Sequence, residues 1–133
     1  MKLLALVAAS SLALGLGSCG KSEESNESNP QLVPNWAEQQ GFAGNEDAER
    51  GAEIFAQVGC LNCHTYLGEG ASNMGAPDLT AIGRQNRRTV EGYANYISNP
   101  SKFGNTVMPR YAELGRRNLL ALGAFLQASA GER

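Results

Sequence analysis

Cys60, Leu61, Asn62, Cys63 and His64 form a C-x-x-C-H run, the stretch of the chain best equipped for chemistry. Two cysteines three apart can each add to a vinyl group of one porphyrin and become thioethers. A histidine directly after them is then held under the iron as an axial ligand, so the spacing reads as a c-type haem attachment site. Other readings account for less of it. A redox-active C-x-x-C belongs in a βαβ setting, and no apolar strand run flanks this one. Structural zinc takes four Cys or His ligands; the chain has three Cys and one His, and Cys19 lies far off. A Cys60–Cys63 disulfide suits an oxidising compartment but leaves His64 without a role.

A second axial ligand has few sources. His64 is the only histidine, which excludes a bis-histidine iron from this polypeptide alone. Met1 goes with the leader, leaving Met74 and Met108. Met74 lies in a Gly-rich stretch that would have to double back over the porphyrin edge. Met108 precedes Pro109 in a loop between two expected helices and stands 44 residues beyond His64, enough chain to wrap the haem. Met108 is therefore favoured over Met74 or an open sixth position.

Helices must position these groups. Asn45 reads as an N-cap, with Glu46, Asp47 and Glu49 placed well against the helix dipole. Gly51, Ile54, Phe55 and Val58 then follow at one-face helical spacing into the C-x-x-C-H run. Leu119, Leu122, Gly123 and Leu126 repeat that spacing near the C-terminus, with Phe125 beside them. A helix-interior Gly costs about 1 kcal/mol against Ala, so Gly51 and Gly123 on these apolar faces point to helices that cross closely. A third helix is expected from Val90 to Ser98, capped by Thr89 and stopped by Asn99 and Pro100. Its Tyr93 and Tyr96 sit three apart on one side, as core residues with one hydroxyl within reach of a haem propionate. No alternating strand pattern and no internal repeat is visible.

Around this domain, set at 45–133, the chain divides simply. Residues 1–18 carry Lys2 and an apolar run too short to remain as a membrane span, and read as a secretory signal. Leu16, Gly17, Ser18 and Cys19 resemble a bacterial lipobox, in which cleavage leaves a diacylglyceryl-modified Cys19 as the mature N-terminus. Residues 20–29 are Ser, Glu, Asn, Gly and Lys with no apolar side chain and read as a flexible tether. The coil from Cys19 to Asn45 would span on the order of 25–30 Å. Residues 30–42 add Leu32, Val33, Trp36 and Phe42, expected to drape over the domain, with a partner-binding strip as the second reading. Together 19–44 form tether and drape.

Over 47–128 the chain resembles a small class I monohaem cytochrome c. The resemblance rests on Cys60, Cys63 and His64, on Gly75-Ala76-Pro77-Asp78-Leu79, on Met108-Pro109 and on a closing helix with Phe125. Ala76 stands before the proline where the family more often has Gly-Pro directly. The resemblance implies an all-α fold: three or more helices around one covalent haem c, with crossing N- and C-terminal helices. It further implies that the Pro77 carbonyl accepts the His64 Nδ1 proton, and that the haem is attached outside the cytoplasm, which agrees with an exported chain.

The net charge is −2, from 11 basic and 13 acidic side chains. Residues 19–58 hold two basic and eight acidic side chains, residues 79–133 eight basic and three acidic. Several of the bases flank the Met108 loop, which suits steered docking on an acidic redox partner as well as merely solvated helix faces. Nothing points to nucleic acid, since the balance is acidic and no binding motif is present. The expected function is electron carriage without catalysis. A lipid-anchored bacterial cytochrome, facing the periplasm or cell exterior, would carry single electrons between respiratory or photosynthetic complexes, for instance from a quinol-oxidising complex to a terminal oxidase. No small-molecule substrate is expected. A fixed haem subunit of a larger oxidoreductase is the alternative, and less favoured ones are an open-iron enzyme, which would want a distal acid or base, and a gas sensor.

Overall fold

A computed structural model describes residues 35–131. The signal segment, Cys19 and the polar tether lie outside those residues. The helices are α1 (Trp36–Gln40), α2 (Glu46–Gln57), α3 (Ile82–Asn86), α4 (Val90–Ser98) and α5 (Gly115–Ala128), with short 3-10 turns at Cys60–Asn62, Pro100–Phe103 and Ala112–Leu114. Two caps form as the residue types dictate. Asn45 Oδ1 accepts from the Ala48 amide at 3.2 Å, and Thr89 Oγ1 accepts from the Gly92 amide at 3.0 Å. Each satisfies an amide that a helix start leaves without an intrahelical partner.

The mainly helical architecture is built on α5, which packs against α2 on one side and α4 on another. Gly51 is where α2 meets α5: a Cβ there would overlap the Ala121 carbonyl oxygen and stand 2.7 Å from Phe125 Cβ. Gly123 serves a different pair. Its missing Cβ makes room for the Val90 carbonyl at the start of α4, so only Gly51 marks the crossing of the terminal helices. The buried stripe of α2 is also rotated from the expected one, running through Ala48, Gly51, Ala52 and Phe55, with Ile54 and Val58 half-buried. Alanines carry little hydrophobic signal, yet they are what lets the helices approach.

One feature is not legible in the sequence and another is legible only in part. A hairpin of two-residue strands, β1 (Thr65–Tyr66) and β2 (Glu69–Gly70), follows His64 directly. Leu67 and Gly68 turn it with φ of 48° and 79°, the left-handed pair that tight hairpins use. Strands this short leave no alternation to read. The drape before Asn45 also enters the core. Trp36 is fully buried and Phe42 nearly so, so the packed unit reaches back to Trp36 rather than starting at Asn45, and neither residue is free to serve as a partner strip.

Trp36, Phe55, Tyr66 and Phe125 form one aromatic cluster, with Trp36–Tyr66 and Tyr66–Phe125 centroids 4.8 and 4.9 Å apart. Burial pushes the Tyr66 phenol up to about 12, despite its hydrogen bond with Ser129 at 2.9 Å, so the hydroxyl stays neutral in the core. Among the described residues the buried Trp36 indole nitrogen has no hydrogen-bond partner. An unmade hydrogen bond of that kind costs about 1–3 kcal/mol, set against a large aromatic burial. Gln40, also buried, spans the gap to the far end of the chain. Its Nε2 donates to the Thr80 carbonyl at 3.1 Å and its Oε1 accepts from the Gly131 amide at 2.9 Å.

The crossing gives a direct test. Alanine at an ordinary helix position is favoured over Gly by about 1 kcal/mol, but Gly51→Ala inserts a methyl into a filled contact. The expected result is a net loss of about 1–3 kcal/mol, read as a lower urea midpoint of the holoprotein; a raised midpoint would show that the crossing is loose.

Candidate functional site

The site is assembled where α2 ends. Val58 closes the helix and Gly59 turns the chain in the left-handed region at φ 85°. Cys60–Asn62 then make one 3-10 turn, with the Cys63 and His64 amides both donating to the Cys60 carbonyl at 3.2 and 2.9 Å. Cys60, Cys63 and His64 thereby project from one compact turn into a cleft of about 370 Å³ that all three line. Leu79, Ile82, Ile97 and Leu126 make its walls largely apolar.

His64 Nδ1 lies 2.8 Å from the Pro77 carbonyl oxygen. A carbonyl only accepts, so Nδ1 carries the proton and Nε2 keeps a free lone pair. Pro77, which the sequence pointed to through resemblance alone, is therefore brought to the ring. The Cys60 thiol lacks the environment of a redox dithiol. Burial pushes the Cys60 thiol up to about 12, with Cys63 adding to the rise and the backbone opposing it; reactive C-x-x-C cysteines show the reverse shift. Among the described residues no three His, Cys, Asp or Glu side chains converge as a metal cluster.

Both candidate methionines line the cleft, but they differ in support. Met74 is 76% exposed and sits on a strained turn at φ 54°. Met108 is half-buried against the core. Asn105 Oδ1 accepts from both the Val107 and Met108 amides at 3.0 Å, and Asn105 Nδ2 donates to the Tyr96 hydroxyl at 2.8 Å. The Met108 loop is thus tied to α4. Asn105 was not singled out from sequence, although an Asn three residues before a candidate ligand is a usual way to hold a loop through its own backbone. Tyr96 and Tyr93 both line the cleft, but their hydroxyls are engaged within the protein, Tyr93 donating to the Ile82 carbonyl at 3.1 Å. Arg88 reaches the cleft too, its guanidinium 5.1 Å from the Tyr96 ring centre and 5.9 Å from that of Phe103.

Asp78 follows Pro77 and accepts from the Thr65 hydroxyl and from the Thr80 amide, the latter at 2.9 Å. Burial alone would raise its carboxyl, but these hydrogen bonds outweigh it and hold the group below its ordinary 3.8. A carboxyl depressed on folding adds stability that is present above the ordinary value and is lost as pH falls through the folded one. Asp78→Asn is therefore expected to be less stable at neutral pH and to lose less on acidification, giving a flatter acid limb in urea titrations below about pH 5. Parallel acid limbs would show that the carboxylate contributes nothing.

Comparison with known proteins yields one result. The cytochrome c family model matches residues 48–130, while no curated protein and no solved structure matches the chain. That span takes in α2 from Ala48 onward, the Cys60–His64 turn, the Pro77 loop, the Met108 loop and α5. Two thiols on one turn, an imidazole with Nε2 free and an apolar cleft are the donor set and surroundings that one covalent haem c requires, and the chain belongs to the cytochrome c family, whose members transfer electrons and are not typically enzymes.

Proposed function

We propose that this protein is a lipid-anchored electron carrier whose haem is held by Cys60 and Cys63 and ligated by His64 and Met108. The observation that carries the reading is the His64–Pro77 hydrogen bond at 2.8 Å, made by an imidazole that shares one cleft with both cysteines and with Met108. Haem c supplies a reversible one-electron couple, with no substrate bond made or broken. His64 offers Nε2, and its bond to Pro77 fixes the ring and raises its basicity. Met108 offers a thioether, which favours the ferrous state and raises the potential. Two protein ligands leave no coordination position for a substrate, and no second histidine stands by as an acid or base.

Met108 is preferred over Met74 because its loop is already tied down by Asn105, so little ordering is needed for it to bind. Met74 and Val107 are both exposed and both border the cleft, and exposed Phe103 lies beside Arg88. An apolar rim with basic neighbours suits brief contact with acidic redox proteins. A quinol-oxidising complex as donor and a terminal oxidase as acceptor are the partners in this reading. Burial of Trp36 and Phe42 removes one surface that permanent seating in a larger complex would have used, which favours a mobile carrier. The anchor rests on the Leu16–Cys19 pattern and the polar run after it.

Met108→Ala is expected to lower the potential, abolish the weak long-wavelength ferric band of the family's Met–iron bond and admit carbon monoxide quickly to the reduced protein. Met74→Ala should do none of these. Rapid carbon monoxide binding by the wild type at neutral pH would instead mean an open iron, and the sensor or enzyme reading would take its place.

Mass spectrometry of the N-terminal peptide tests the anchor. A diacylglyceryl-modified Cys19 is expected, and Cys19→Ala should release the domain from membranes or leave it as precursor, with haem intact. Cleavage elsewhere, or an unmodified Cys19, would remove the tether from the proposal.

A further inference from the structure

The Pro77 carbonyl sits on an exposed loop, and proline has no N–H with which to anchor its own backbone. Something else must hold that oxygen on the imidazole. The chain just past His64 and the chain from Pro77 to Thr80 lie side by side, laced by four hydrogen bonds. His64 Nδ1 donates to the Pro77 carbonyl at 2.8 Å, and the Leu79 amide donates to the Thr65 carbonyl at 2.9 Å. The Thr65 hydroxyl donates to Asp78 Oδ2, and the Leu67 amide donates to Thr80 Oγ1 at 2.8 Å. The far end is fixed from the core, where the Thr80 carbonyl accepts from Gln40 Nε2 at 3.1 Å and from the Gly131 amide at 3.0 Å.

Within this lacing the Thr65–Asp78 contact is the side-chain bond nearest the imidazole, one residue along each segment from the His64–Pro77 pair. It is charge-assisted, and such bonds are roughly twice as strong as neutral ones. Asp78 also grips its own loop through the Thr80 amide at 2.9 Å, so one carboxylate ties the loop's shape to its register against His64. We propose that Asp78 and Thr65 are positioning residues for electron transfer, which hold the Pro77 carbonyl on His64 Nδ1 and thereby set the orientation and donor strength of the imidazole. The inference rests on the reading that His64 ligates the iron.

The electrochemistry separates this role from a plain turn-stabilising one. A slackened Pro77 contact leaves a weaker donor on iron. The ferric state loses more from this than the ferrous, so the potential rises. Removing the carboxylate charge would raise it as well, which is why the threonine is the discriminating side: Thr65→Val cuts the contact and keeps the charge.

Full-length holoprotein would be compared as wild type, Thr65→Val, Thr65→Ser, Asp78→Asn and the Thr65→Val/Asp78→Asn double variant. Midpoint potentials and the hyperfine-shifted haem methyl resonances of the oxidised protein, which report imidazole orientation, are the readouts. Thr65→Val should raise the potential, moving the redox equilibrium about two- to tenfold, the range of one net hydrogen bond, and should alter the methyl pattern. Thr65→Ser, which retains the hydroxyl, should restore both. Asp78→Asn, which keeps an acceptor for Thr65 but loses the charge, should also raise the potential, and the double variant should shift by less than the sum of the two single shifts, since both act on one contact. Should Thr65→Val fail to fold, Thr65→Ala, which likewise removes the hydroxyl and keeps the charge, takes its place with the same expected outcomes. Potential and methyl pattern unchanged in Thr65→Val, or strictly additive shifts in the double variant, would overturn the inference. A wild type lacking a histidine-ligated low-spin spectrum would overturn the ligation reading instead.

Discussion

Where Gly51 lies against the Ala121 carbonyl, α2 and α5 come closer than any side chain would permit, and the remainder of the domain is arranged around that contact. Close approach brings the Phe55 and Phe125 rings together across the crossing, tilted at 51° with 5.2 Å between ring centres. Trp36 and Tyr66 then complete the cluster from outside the two helices. The crossing also aims the chain. With α2 fixed in position and direction, its C-terminal end delivers Gly59 and the Cys60–Asn62 turn to the mouth of the cleft. A larger residue at Gly51 would move the haem motif as well as the core, because the two are joined by a single rigid helix.

The same close packing explains why so short a chain can carry a cleft at all. Small domains bury a limited share of their surface and have little stability to spare, and a cleft lined by Leu79, Ile82, Ile97 and Leu126 leaves apolar area without a protein partner. Haem c covers that area and, through two thioethers, cannot leave it. Cofactor and core are therefore one hydrophobic unit. Ser129 bonds both Tyr66 and the Phe125 carbonyl, and Gln40 bonds the Thr80 carbonyl and the Gly131 amide. Gln40 and Gly131 thus tie the core to Thr80, at the end of the segment whose Pro77 carbonyl meets His64, while the Met108 loop is tied to α4 through Asn105 and Tyr96.

What was legible in the sequence was what depends on a few residues in fixed spacing. The C-x-x-C-H run, the Asn45 and Thr89 caps and the α4 limits each follow from local rules. What was not legible depends on partners distant in sequence. Gly123 was correctly seen to be a close-approach residue but assigned to the wrong helix pair, because a missing Cβ says that something approaches without saying what. The α2 face was rotated for a related reason: Ala48 and Ala52 are buried by proximity to α5, and an alanine looks the same in sequence whether covered or bare. Leu32, Val33, Trp36 and Phe42, spaced among polar residues, read as a segment draped over the domain, and only the pocket formed jointly by Phe55, Tyr66 and Phe125 shows how deep Trp36 goes.

The two axial candidates illustrate a division of labour that a carrier needs. An electron carrier gains from ligands that barely move between oxidation states, since every displacement adds to the barrier for transfer. His64 sits within the turn that bears the cysteines and is braced through Pro77. Met108 has no such covalent neighbour, and its order comes from a loop. Asn105 supplies that order by occupying the Val107 and Met108 amides with one oxygen while its amide nitrogen binds Tyr96. That arrangement holds the Met108 backbone without engaging its sulfur, which leaves the thioether lone pairs free for the proposed ligation. Met74, by contrast, is exposed on a backbone turn that glycine would adopt more easily, and has its polarizable side chain on the surface. A soft, adaptable side chain of this kind is useful for meeting partners and poorly suited to fixing a metal, so the two methionines that sequence alone could only rank are set apart by what holds each of them.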